Sequence, residues 1–215
     1  MVIRIGMAAR RAGLSIADFQ NHWHDRHGPL VARFKGIRRV WQNHALLRNG
    51  TPILAWPGFD ACSEMEFDDL AAVQLALSDE HYPRELREDS PHLIDMSTSA
   101  VTLAERIHVD GAINLRDIRL LTFMRRAPGC TPAQLNEALR ALPKASKARA
   151  REIYAPLEVP APAANAYDGV DAQWFETIDQ AERYLLSEEA GEHRRAVARL
   201  VRGTERVIVS VRVIL

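Results

Sequence analysis

Cysteine is scarce: only Cys62 and Cys130 occur in 215 residues, far apart and without the paired spacing of a thiolate metal site. A disulfide framework is therefore not expected. Neither sign of charge is in excess, because 28 Lys and Arg balance 28 Asp and Glu. No basic field is available to recruit nucleic acid or an anionic membrane. Long apolar runs are also missing, and nothing approaches the ~18–20 residues of a membrane span. The opening segment MVIRIGMAARRAG turns polar before it reaches the length of a secretory signal. The expectation is a cytoplasmic protein with no nucleic-acid or membrane partner.

What the chain does contain is a repeat. IRIGMAARRAGLSIADF (3–19) matches IRLLTFMRRAPGCTPAQL (118–135), and FDACSEMEFDDLAAVQLALSDE matches YDGVDAQWFETIDQAERYLLSEE further on. SAVTLAERIHV (99–109) matches the terminal ERVIVSVRVIL (205–215). Three matches in the same order indicate a duplication, and each copy is domain-sized rather than a solenoid unit.

Within one copy the pattern reads strand, helix, strand, strand, helix, strand. Ser15 with Asp18 three residues on resembles a capping box for a helix that Gly28-Pro29 ends or bends. RRVWQNHALL (38–47) reads as a strand, and FDACSEMEF alternates cleanly, with Asp60, Cys62, Glu64 and Glu66 sharing a face. This βαββαβ order is the split ferredoxin-like unit, whose helices cover one sheet face and leave the other needing a partner. The predicted fold is α+β: two tandem ferredoxin-like units, 1–109 and 110–215, whose antiparallel sheets meet in an intrachain α+β barrel. Residues 108–117 form the linker. A homodimer in addition to that barrel is compatible with this organisation.

The copies differ in chemistry. Seven of eight histidines lie at or before His108, and three of them crowd into DFQNHWHDRHGPL (18–30). At the sheet face that holds Asp60, Cys62, Glu64 and Glu66, the second copy places Asp168, Val170, Ala172 and Trp174, mostly apolar. One active cavity is therefore expected, built by the first copy and walled by a degenerate, structural second copy.

DFQNHWHDRHGPL, then VWQNHALL, then FDACSEMEF, resemble the EthD-like branch of the dimeric α+β-barrel superfamily. Phe19, His22, Trp23, His27, Pro29 and Leu30 match its first element, Gln42 and His44 its second, and Asp60, Glu64 and Phe67 its third. Ala61 and Glu66 depart from it, and the second copy lacks the Glu, having Ala172. The resemblance implies a barrel of two ferredoxin-like units, each enclosing a small cavity. It also implies kinship with enzymes that use neither metal nor organic cofactor: lactone isomerases, cyclases, dehydratases and quinone-forming monooxygenases.

Metal ligation fits the cluster poorly. His22 and His24 sit roughly 200° apart around a helix, and no third ligand follows His24 and His27 at fixed spacing. Acid–base chemistry fits better, because a histidine held against Trp23 in an apolar cavity has its charged form disfavoured. The candidate catalytic residues are His22, His27, His44 and Glu64, with His27 alternatively capping the helix end. Phe19, Trp23, Gln42 and Cys62 are the candidate substrate-binding residues. Glu64, as a buried carboxylate, requires a His or Arg partner. His24 and Asp25 are expected on the solvated face, and His81, His92, His108 and His193 on the surface. The function expected is cofactor-independent acid–base catalysis, of isomerase, lyase, dehydratase or cyclase type, on a small carbonyl, lactone or phenolic compound. The alternatives are cofactor-free oxygenation of a phenol and non-catalytic binding of a hydrophobic ligand.

Overall fold

The computed structural model describes residues 1–56, 58–78, 82–159 and 164–215; His81 lies outside them. In the first half, β1 (Val2–Ala8) leads into helix α1 (Ile16–His22), a π-helical turn (Trp23–His27) and α2 (Gly28–Val31). Then come β2 (Ile37–Ala45), the short hairpin β3 (Leu47–Arg48) and β4 (Thr51–Pro52), β5 (Ala61–Phe67), α3 (Leu70–Leu77), α4 (Arg84–Leu93) and β6 (Ala100–Gly111). The second half runs β7 (Ile118–Arg126), α5 (Pro132–Ala141), β8 (Ala150–Pro156), β9 (Gly169–Phe175), α6 (Ile178–Leu186), α7 (Glu188–Val197) and β10 (Val201–Val213).

Local chemistry sets these boundaries. Ser15 opens α1 by accepting the Asp18 N–H at 3.0 Å, and Thr131 opens α5 through a full capping box with Gln134. Each half also carries a second consecutive helix where the sequence pattern suggested one. Ser187 accounts for the break in the second half: its hydroxyl caps the Ala190 N–H, so α6 stops and α7 restarts. Among the described residues, no helix is long and apolar enough to cross a membrane.

The eight long strands close into one barrel in the order β1-β5-β2-β10-β7-β9-β8-β6. Each half contributes four antiparallel strands in ferredoxin-like order, and two seams join the halves. β2 pairs with β10, setting Gln42 opposite Arg212, and β6 pairs with β8. β6 carries on through Gly111, so Val109–Gly111, expected at the start of a linker, are instead rungs of the second seam. Every backbone edge of the two sheets is thereby paired.

Strand register corrects the repeat. Ile5 pairs with Glu64 and Thr102, whereas Leu121 pairs with Ala172 and Val207. Leu121 is therefore the counterpart of Ile5, and Leu120 the counterpart of Arg4; the sequence match of Ile3 to Ile118 is one residue out. Duplicated ion pairs agree. Asp60 accepts the Arg10 N–H at 2.9 Å and Asp168 accepts the Arg126 N–H at 2.9 Å. A one-residue slip moves a strand's side chains to the opposite face, so Arg4 and Arg119, matched in sequence, face opposite sides.

Inward-facing Ile3, Ile5, Met7, Leu121, Phe123, Val207 and Val209 pack the barrel interior. The interior is not wholly apolar. Arg119 meets Glu64 and lies 3.1 Å from Glu152, Arg106 lies 2.9 Å from Glu152, and Arg39 lies 2.6 Å from Glu66. Three of these charges come from the first half's β2 and β5, one from β6, and two from the second half. The second copy, expected to offer mostly apolar groups, thus also supplies Arg119 and Glu152 to the interior. Trp174, fully buried, donates to Glu152 at 2.9 Å and packs its ring 4.9 Å from the Arg119 guanidinium.

Candidate active site

The alternation of β5 divides the expected site between two compartments. Cys62 and Glu64 point into the barrel, while Ala61, Ser63 and Met65 point toward the helices. Glu64 accepts from Asn43 at 3.0 Å, from Arg119, and from the Tyr154 hydroxyl at 3.3 Å. Burial works to raise its carboxyl, but the charge and hydrogen bonds of Arg119 prevail and hold it below the usual carboxylate range. Its partner is thus an arginine of the second half and not a histidine. Cys62 is fully buried beside Asn43, and burial followed by the Glu64 charge pushes its thiol well up, the opposite of a poised nucleophile.

On the helix side of the same sheet lies a cavity of about 220 Å³. Trp23, His27, Gln42, Ser63 and Ser90 line it, and apolar side chains such as Phe34, Met65 and Leu86 complete the wall. His27 occupies the end of the π turn, where it makes no side-chain cap, and its Nδ1 sits 2.9 Å from Asp89. His22 Nε2 lies 2.8 Å from the other Asp89 oxygen, and the exposed Arg26 is 3.0 Å away. Asp89 itself is buried, 2% exposed. Burial alone would raise its carboxyl; the hydrogen bonds from His27 and His22 outweigh that and lower it. Burial dominates at His27 and lowers its pKa despite Asp89, so the ring is neutral near pH 7. With Nδ1 on the carboxylate, no hydrogen bond among the described residues engages Nε2, the nitrogen left for a ligand.

The π turn shapes this corner. The Gly28 N–H bonds back to the Trp23 carbonyl, which also accepts from Gln42 Nε2 at 2.7 Å. A Cβ at Gly28 would stand 2.8 Å from Ile214 and 3.0 Å from Gln42 Nε2, so a larger residue would have to displace those two side-chain ends. Gln42 Oε1 lies 3.0 Å from His44 Nε2, which fixes the amide's orientation. His44 stacks on Trp23 at 4.6 Å and does not line the cavity. Burial, then the positive charge of Arg212, drives its pKa down to about 3. Near pH 7 His44 is a neutral ring, bonded to Gln42 and stacked on Trp23. Phe19 is buried behind Trp23, with ring centroids 5.7 Å apart. His24, expected in solvent, instead packs edge-on against His44 at 6.0 Å. His108 and His193 are half-buried, whereas His92 is exposed as expected.

Two residues of the site escaped sequence reasoning, one behind His27 and one in the cavity lining. One is Asp89, whose signal was legible: in α4 it shares the buried stripe with Leu86, Ser90 and Leu93, where a carboxylate is out of place. The other is Arg4, on the helix-facing side of β1. Its guanidinium lies over Gly6, where a Cβ would come within 2.7 Å of Nη1. Among the described residues no carboxylate forms an ion pair with it. Burial lowers its pKa, with Tyr82 opposing, yet a guanidinium keeps its proton at working pH. An unpaired cation lining an apolar cavity calls for an anionic partner.

A tandem ferredoxin-like barrel with a helix-side cavity defines the class: the dimeric α+β-barrel fold, here closed within one chain. The family model for the EthD domain matches residues 11–97, within the first half of the chain. No curated protein matches the sequence. Among solved structures, an anthrone oxidase-like protein aligns with a TM-score of 0.68 at 12% identity, over 99% of this chain and 93% of its own. A candidate monooxygenase from Fusobacterium nucleatum subsp. nucleatum ATCC 25586 aligns at 0.63 and 7%, over 99% and 93%. Another, from Lactobacillus acidophilus NCFM, aligns at 0.58 and 8%, over 99% and 94%. At such identities these likenesses speak for the fold.

Proposed function

We propose that the first-half cavity carries out cofactor-independent acid–base catalysis on a small, mostly apolar carbonyl, lactone or phenolic compound. The observation that carries this reading is the pairing, in one cavity, of a neutral His27 held by Asp89 with the unpaired cation Arg4. In the proposed step, His27 Nε2 takes a proton from an acidic C–H or phenol O–H, and the imidazolium formed is stabilised by Asp89. The negative charge left on the substrate oxygen is held by Arg4, whose full charge is preorganised in a water-poor wall. Trp23, Phe34 and Met65 supply the apolar bed, and Gln42 supplies a hydrogen bond of fixed orientation. His22 is a positioning residue, sharing Asp89 from outside the cavity; His44 is another, acting through Gln42 and Trp23. Glu64 is assigned to the structural ion pair with Arg119.

Oxygenation of a phenol begins with the same proton abstraction, and neighbours named anthrone oxidase-like and candidate monooxygenase make it the second reading. The test is a panel of enolisable lactones, ketones and phenols, followed by deuterium uptake from heavy water and by oxygen consumption. His27→Gln should lower kcat by about 10²–10⁴-fold, and Arg4→Gln should lower kcat/KM while folding is retained. Exchange without oxygen uptake supports isomerase- or lyase-type chemistry; oxygen uptake matching phenol loss supports oxygenation. Full turnover by folded His27→Gln protein refutes both.

A further inference from the structure

The second half has a cavity of its own, about 290 Å³, between α5, α6, α7 and the helix-facing side of β7, β9 and β10. Leu139 and Leu142 at the end of α5, Leu185 of α6, Val197 of α7 and Leu120 of β7 give it a largely apolar wall. This is not a worn copy of the first cavity. Leu120 stands where the first half has Arg4, and α5 has no histidine. A different polar set is present instead. His193 Nδ1 lies 2.8 Å from the Tyr184 hydroxyl, which also accepts from Gln173 Nε2 at 3.3 Å. Asp171 reaches the same wall, but its charge is matched by Arg151 at 2.8 Å.

Arg206 has no such match. On β10 it alternates with inward-facing Val207, so its side chain lies on the helix side and lines the cavity. Among the described residues no carboxylate comes within ion-pair distance of it and no hydrogen bond engages it. Arg194 adds a second positive charge to the same wall. Burial, then the Arg194 charge, lowers its pKa; Tyr184 and Asp171 of the same wall oppose this without reversing it. A guanidinium does not escape that cost by losing its proton. An anion in the cavity would relieve it.

We propose that the second-half cavity is a separate small-molecule site for an organic anion with an apolar body, such as an aromatic or branched aliphatic carboxylate. The carboxylate pairs with Arg206, and the body packs on Leu139, Leu142 and Leu185. The proposal does not depend on the chemistry of the first cavity. It also explains the changed cation position: the first half presents its cavity cation from the first strand, and the second half from the last.

Methyl-resolved NMR of the full chain, titrated with benzoate and separately with benzamide, tests it. Benzoate should shift the methyls of Leu139, Leu142, Leu185 and Val197 saturably. Arg206→Gln should weaken that binding at least about tenfold, as expected for loss of a charge-assisted hydrogen bond. Arg4→Gln should leave these shifts unchanged, separating this site from the first cavity. Unaltered affinity in a natively folded Arg206→Gln protein overturns the proposal. So does benzamide binding as tightly as benzoate, or the absence of shifts at these methyls at millimolar benzoate.

Discussion

Acid should unfold this protein partly through a single ring, His44. The side chain is 2% exposed, stacked on Trp23 and bonded to Gln42, and its pKa is held at about 3 against an unfolded value of 6.5. Because the folded value is the lower one, the unfolded chain takes up the proton first. His44 therefore contributes its full stability above pH 6.5, and that contribution is lost as pH falls toward 3. Each pH unit below 6.5 removes about 1.4 kcal/mol, so acidification to pH ~4.5 costs roughly 2.5–3 kcal/mol from this residue. That is a large share of the ~5–15 kcal/mol that holds a domain folded. The perturbation is His44→Gln, which retains a donor for Gln42 and cannot titrate. Urea denaturation at pH 7 and 4.5 gives four unfolding free energies. The variant should be the less stable protein at pH 7, since the stack on Trp23 is gone. Its loss on acidification should be smaller than the native loss by about 2.5–3 kcal/mol. Parallel pH dependence in the two proteins, or an NMR titration placing His44 near 6.5, would refute the reasoning.

Gly6→Ala should displace the Arg4 guanidinium, since the new Cβ meets the flexible end of that side chain and not backbone. Stability measured by thermal melting should change by no more than about 0.5 kcal/mol, while KM for an anionic or enolisable substrate rises; an unchanged KM counts against Arg4. Glu64→Gln leaves Arg119 short of its nearest counter-charge inside the barrel and should cost roughly 3 kcal/mol in chemical denaturation. Native stability with lost turnover in that variant would return Glu64 to the catalytic machinery.

Much of the fold was legible because the duplicated pattern states it twice. Alternation in residues 59–67 and the capping signal at Ser15 were local features, and the structure places β5 at Ala61–Phe67 and the start of α1 at Ile16. Register was less accessible. Sequence similarity favoured matching Ile-Arg at 3–4 with Ile-Arg at 118–119, yet hydrogen bonding pairs Ile5 and Leu121 as equivalents. The slip concealed that Arg4 faces a cavity and Arg119 the interior. The candidate site was legible in part. The cluster at 18–30 supplies Trp23 and His27 to the cavity, and β2 supplies Gln42. What holds His27 comes from Asp89, 62 residues away, and what neutralises Glu64 comes from Arg119, 55 residues away. Periodicity marks Asp89 as an out-of-place carboxylate on the buried stripe of α4, but which partners these charges meet depends on how the elements pack. Cys62 and Glu64 were grouped with the histidines because all are polar or titratable; the pleat of β5 puts them on the other face.

That pleat also explains how one chain can hold a closed barrel and two unlike cavities. Inward residues of β5 and β7 meet in the Glu64–Arg119 pair, so the interior must satisfy both halves at once and change is costly there. Outward residues answer only to their own half's helices. In a barrel made from two identical chains, symmetry would force both outer cavities to carry the same side chains. Tandem duplication removes that constraint. The first half keeps Arg4 on its opening strand, in the cavity that His27 also lines, while the second has Leu120 at the matching position and presents Arg206 from its closing strand. The interior shared between the halves accounts for the common fold, and the separate helix-side faces account for the divergence.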